Sequence, residues 1–182
     1  MAVRNKTEFI ANEIYYITFT ILDWQYIFTS DKYCQLVYKW FDYTKSKYNN
    51  KIHGYVIMPN HIHALMRISD KSPKISVLIQ NAKRFMAYAI LDYLREDKKI
   101  TLLKKFEIKP NKKKAKHKIF QPRYDSLLIQ TQKIFLQKLN YIHNNPCQLK
   151  WGLASDPEDY KYSSTANYIN CSGNYEVDLI DF

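Results

Sequence analysis

Glycine is scarce: only Gly54, Gly152 and Gly173 occur among 182 residues. Three isolated glycines build neither a Walker-type phosphate loop nor a dinucleotide-binding fingerprint, which need glycines clustered where backbone meets phosphate. An ATPase and a Rossmann dehydrogenase are set aside on that ground. Cysteine is equally sparse. Cys34, Cys147 and Cys171 are odd in number, far apart and not in metal-ligand spacing, which fits a reduced, cytoplasmic setting. No apolar run is long enough to span a bilayer, and the opening "MAVRNKTEFI" lacks a signal-peptide core, so no membrane partner is expected. Acidic side chains are also in deficit, 17 Asp and Glu against 28 Lys and Arg, for a net charge of +11. Such an excess points to a polyanion, most often nucleic acid, and to a nucleoid-associated location.

Hydrophobic residues make up 46% of the chain, enough for one folded domain across residues 1–182. "EIYYITFTILDW", Glu13 to Trp24, is β-branched and aromatic and reads as a strand. Helical spacing of Leu36, Val37, Trp40, Phe41 and Tyr43 predicts a helix from Lys32 to about Lys47. "KIHGYVIM" and "HIHALMRI" read as a hairpin turning at Pro59-Asn60. Ile75 to about Leu94 reads as a long helix whose buried stripe is Leu78, Ala82, Phe85 and Ala89. "KIFQPRYDSLLI" is a short fourth strand or an irregular segment. Thr131 caps a last helix that Pro146 stops, and a tyrosine-rich tail from about residue 155 packs across the domain. The order β-α-β-β-α-β followed by a helix matches a ferredoxin-like α+β sandwich, an antiparallel sheet packed by helices in the RRM-like manner.

The charge excess is concentrated. From Lys104 to Lys118, "KKFEIKPNKKKAKHK" holds eight lysines and one acid. It is either a solvated loop or a phosphate-binding one in which Lys112, Lys113 and Lys114 meet nucleic acid. Lys83 and Arg84 beside the second helix's stripe, and Arg123, are further candidate contacts.

Two segments carry chemistry. In "YVIMPNHIHALMRI" the histidines His61 and His63 are two apart on a strand, so both imidazoles share a face. They form either half a divalent-metal site or two core histidines that each need a hydrogen-bond partner. In "KLNYIHNNP" the stripe Phe135, Leu139 and Ile142 faces the core, while Tyr141, Asn145 and Lys138 share the flank beside it. A half-buried tyrosine with a capping asparagine would give the same pattern.

Together the H-x-H strand and the Tyr-x-x-x-Asn helix resemble the single-tyrosine HUH transposases. The chain is most similar to the REP-associated tyrosine transposases, through "YYITFTILDW", "YVIMPNHIHALM", "KLNYIHNNP" and "PEDYKYSSTANY". The resemblance implies a ferredoxin-like nuclease fold, Mg²⁺ or Mn²⁺ as cofactor, and single-stranded DNA with a hairpin as substrate. It places the metal on His61 and His63, makes Tyr141 the nucleophile and sets Asn145 where a third ligand stands. The insertion-sequence enzymes commonly carry glutamine there; the shorter asparagine leaves the third ligand open, as the sequence leaves a homodimer open. Lys138 could hold a phosphate near the site. Tyr124, beside Arg123 and Asp125, is the rival nucleophile. Competing functions are a non-cleaving nucleic-acid binder of the same fold and a metal-dependent hydrolase with tyrosine outside the reaction. An RRM is disfavoured, since "KIHGYVIM" lacks its glycine-aromatic run.

Overall fold

The computed structural model describes residues 9–107 and 117–180. Four strands, β1 (Glu13–Ile21), β2 (Lys51–Met58), β3 (His61–Ile68) and β4 (Phe120–Ile129), form one antiparallel sheet in the order β2-β3-β1-β4. Helices α1 (Asp31–Tyr48) and α2 (Ile75–Glu96) connect them as a ferredoxin-like fold requires. Strand β1 stops earlier than its composition suggests. Leu22–Trp24 is a 3-10 turn with Asp23 and Trp24 at positive φ, which swings the chain off the sheet.

Both faces of the sheet are buried along β2 and β3, while β4 is partly exposed. Tyr15, Ile17 and Phe19 of β1 with Ile62, Ala64 and Met66 of β3 face α1 and α2. On the other face Tyr16, Val56, Met58 and Leu65 meet Phe135, Leu139 and Ile142 of α4 (Gln132–Asn144). That double burial explains why β2 and β3 read as nearly unbroken apolar runs rather than alternating ones. Thr131 caps α4 as its sequence position suggests, its hydroxyl accepting from the Ile134 amide at 3.3 Å. Gly54 lets α4 approach. A Cβ there would stand 2.7 Å from Leu139 Cδ1, so any larger residue would force the Leu139 side chain to shift.

Three expectations need correction. The fourth strand is a ten-residue element whose register against β1 shifts between Phe120 and Tyr124, and it tolerates Pro122 because that residue lies in the shift on an edge strand. Phe85 is not in the buried stripe of α2: it is 47% exposed, and Met86 and Ile90 fill the interior with Leu78 and Ala82. The lysine-rich stretch begins within a helix, α3 (Ile100–Phe106), whose last turn carries Lys104 and Lys105 where positive charge suits the helix dipole. Lys112, Lys113 and Lys114 lie outside the described residues.

The tail, including the short α5 (Thr165–Ile169), covers the free edge of β2. The Ile57 amide donates to the Tyr162 carbonyl at 2.9 Å, Ser164 N donates to Tyr55 O at 3.0 Å, and Asp178 N donates to Ile52 O at 2.8 Å. The hydroxyls of Tyr160 and Tyr168 donate to Ile57 O and His53 O. The tail's tyrosines thus satisfy an edge that would otherwise present open backbone groups. Among the described residues no helix is long and apolar enough to cross a membrane.

Candidate active site on the sheet face covered by α4

Register decides which side chains meet. His63 stands opposite Thr18 of β1 and Val56 of β2, and Thr18 stands opposite Asp125 of β4. His61, His63, Tyr16 and Asp125 therefore share the face that α4 covers, while Tyr124 shares the α1/α2 face with Phe19. Tyr124 packs against that first core, and burial raises its hydroxyl pKa. It is on the wrong side of the sheet to reach the histidines.

The imidazoles of His61 and His63 lie 4.7 Å apart, nearly perpendicular. Each is held through Nδ1. Asn60 Oδ1 accepts from His61 Nδ1 at 2.6 Å, and Asn60 Nδ2 in turn donates to the Trp24 carbonyl, which fixes that amide's orientation. The Tyr16 hydroxyl lies 2.7 Å from His63 Nδ1, with the two rings stacked. Asn145 Nδ2 donates to His63 Nε2 at 3.3 Å. An Nε2 that accepts requires the proton on Nδ1, so His63 Nδ1 donates to Tyr16. His61 thus keeps its Nε2 lone pair for a ligand, while the Nε2 lone pair of His63 is turned to the Asn145 amide.

Charge reinforces this. Burial holds the His61 pKa down to about 4, with Lys150 adding to the effect. Burial holds that of His63 well below the usual range, with His61, Lys138 and Lys150 contributing. Both are neutral near pH 7, the form that ligates metal. Trp24 and Trp151 flank His61, their ring centroids 6.0 and 5.4 Å from its own.

Helix α4 brings the rest. Tyr141 stands beside His63 with ring centroids 5.5 Å apart, and it is 41% exposed. Lys138 Nζ sits 4.9 Å from the Tyr16 ring and 5.9 Å from the Tyr141 ring. Asn145 is almost fully buried in the 3-10 turn after α4, and its Oδ1 has no hydrogen-bond partner. A buried oxygen without a partner costs stability, and the same amide meets His63 Nε2 through Nδ2, so turning the amide over would present the oxygen there and fit a cation. Among the described residues no three of His, Cys, Asp and Glu gather into a metal-binding group. The donors available are two imidazoles and an amide oxygen.

The structure thus gathers His61, His63, Tyr141, Asn145 and Lys138 in one place. It does not bring Lys83, Arg84 or Arg123 there. Lys83 donates to the carbonyls of Gln121 and Arg123, tying α2 to β4 with its amine half-buried and its pKa held down to about 8 by that burial. Arg84 is on the outer surface of α2. Sequence reading missed Tyr16, Asn60 as a histidine partner, and Trp151. Only Asn60 left a signal, as an amide adjoining the H-x-H pair.

No family model and no curated protein matches the chain. Among solved structures, a REP-associated tyrosine transposase bound to a REP hairpin is similar to it over 100% of this chain and 95% of its own. The TM-score is 0.68 and the identity 17%. A Deinococcus radiodurans R1 protein, provisionally described as a transposase, is similar over 78% of this chain and 97% of its own, with a TM-score of 0.49 and 13% identity. The first likeness shows a shared fold along the whole chain.

Proposed function

We propose that the protein is a divalent-metal-dependent transposase of the HUH type that cuts and rejoins single-stranded DNA beside a hairpin. The observation that carries this reading is the convergence of His61, His63, Tyr141 and the partnerless Asn145 oxygen on one sheet face. The sequence resemblance and the fold shared with a transposase that binds a REP hairpin support it.

His61 Nε2, His63 Nε2 and Asn145 Oδ1 would hold Mg²⁺ or Mn²⁺ once the Asn145 amide turns its oxygen, in place of Nδ2, toward His63. The bound ion would polarise the scissile phosphate and stabilise the charge that develops on it. Tyr141 Oη attacks phosphorus and gives up its proton, a new P–O bond to the tyrosine forms, and the bond to the 3′-oxygen breaks. The departing oxygen takes a proton and becomes a free 3′-hydroxyl, while the 5′-phosphate stays on Tyr141. The phosphodiester bond energy is retained in that link, so rejoining needs no nucleotide hydrolysis. A phenol is a weak nucleophile at neutral pH, and Lys138 beside its ring supplies positive charge for the phosphate and the forming bond. Tyr16 and Asn60 keep the histidine lone pairs aimed inward.

Labelled single-stranded DNA containing a hairpin from the host genome tests the reading. A protein–DNA adduct that survives SDS, forms with Mn²⁺ and is absent in EDTA supports it. Binding without any adduct favours the non-cleaving DNA binder.

A further inference from the structure

The opposite face of the molecule carries a feature that strand cleavage does not use. Helices α1 and α2 leave between them an open groove of about 510 Å³, floored by Trp40 and Leu78. Tyr43, Phe85 and Tyr88 line it while remaining 49, 47 and 68% exposed. Three large rings kept in water along one groove form an apolar patch that asks for an occupant. Phe85 has no polar atom to account for its exposure. The groove's charged residues are Lys39 and Arg84, both exposed; no Asp or Glu lines it, and among the described residues neither cation is in a salt bridge.

We propose that this groove is a second DNA site, which takes unpaired bases of a single strand on Tyr43, Phe85 and Tyr88 and their phosphates on Lys39 and Arg84. Exposed aromatic rings interleaved with cations suit single strands, because every base has a π face and every linkage a negative charge. The volume falls within the range of small-ligand sites and exceeds what one base requires. A second copy of the chain is a poorer occupant. In a two-fold contact the same cationic patch would face itself, whereas a polyanion neutralises it. The sheet separates the groove from Tyr141, so DNA lying there leaves the histidine site open. One protein could hold two stretches of one strand and raise the local concentration of the second at the cleavage site. This role stands whether or not Tyr141 cuts.

Binding is measured by fluorescence anisotropy with an oligothymidine strand in the Tyr141→Phe protein, so that cleavage and binding are read separately. Adding Phe85→Ala and Tyr88→Ala should weaken binding roughly tenfold or more. Because both side chains are exposed, the thermal midpoint should hold. Lys39→Gln with Arg84→Gln should lower the log–log salt slope by about 1.4, the sum for two neutralised phosphates. Irradiating the protein with 5-iodouracil-containing DNA should crosslink Tyr43, Phe85 or Tyr88. Unchanged affinity in the aromatic variant, with crosslinks confined to peptides of β3 and α4, would overturn the proposal and leave the cleavage reading intact. Lost self-association with undiminished DNA affinity would assign the groove to a second copy and overturn it equally.

Discussion

The Tyr16 hydroxyl stands 2.7 Å from His63 Nδ1, on the ring edge away from the Nε2 that would hold the metal. Strand β1 thereby orients an imidazole on β3, and the ring's other nitrogen, which meets the Asn145 amide, is the one that would ligate the cation. Tyr16→Phe removes that oxygen with little change in volume and leaves a buried N–H unpaired. Mn²⁺ affinity, measured by titration calorimetry, should fall about ten- to a hundredfold, with adduct yield partly restored by excess Mn²⁺. An unchanged affinity would show that Tyr16 only fills space.

The metal assignment predicts a sharp dependence on the pair itself. Replacing His61 and His63 together by alanine should abolish both Mn²⁺ binding and adduct formation while the circular dichroism of the sheet and helices persists. Full cleavage by the double variant, or by wild type in EDTA, would remove the ion from the reaction.

Four buried histidines make the metal-free protein acid-labile. Burial lowers the pKa values of His53, His61, His63 and His143, to about 4 for His61 and His143. Their unfolded-state value is near 6.5, so below it the unfolded chain binds protons that the folded chain refuses. The stability they contribute is complete above pH 6.5 and is lost as pH falls from there towards 4. His61 and His143 each contribute on the order of 3 kcal/mol across that window. Thermal midpoints in EDTA should fall steadily from pH 7 to pH 4 and stay level from pH 7 to pH 8. A flat profile through pH 5 would contradict neutral buried rings.

Much of this site was legible because its signals are local. Two-residue spacing put His61 and His63 on one face, and the helical wheel put Tyr141, Asn145 and Lys138 on one flank of α4. What pairs with them depends on register, which no single segment encodes. Tyr16 meets His63, and Tyr124 is turned away, only because Thr18 falls opposite both His63 and Asp125. Phe85 was misplaced for a related reason. Periodicity locates a helix face, but the neighbouring element decides how much of that face is covered, and α1 leaves this part open. Helix α3 was hidden by its position, since "ITLLKKF" runs straight into the lysines and its charge dominates the reading.

The lysine-rich segment yields a separate prediction. Changing Lys112, Lys113 and Lys114 to glutamine should weaken binding to single-stranded DNA and reduce the salt slope by about 0.7 for each phosphate that is no longer neutralised. An unchanged slope in anisotropy titrations would mean that these lysines are only solvated.

The most direct test of the central claim is the fate of a label placed on either side of the cut in hairpin-bearing single-stranded DNA with Mn²⁺. Tyr141 as nucleophile predicts an SDS-resistant adduct that keeps the label only when it lies 3′ of the cut. The adduct should vanish in Tyr141→Phe, whose fold and DNA affinity persist, and survive in Tyr124→Phe. An adduct that persists in Tyr141→Phe, or one that retains the 5′ label, would contradict the assignment.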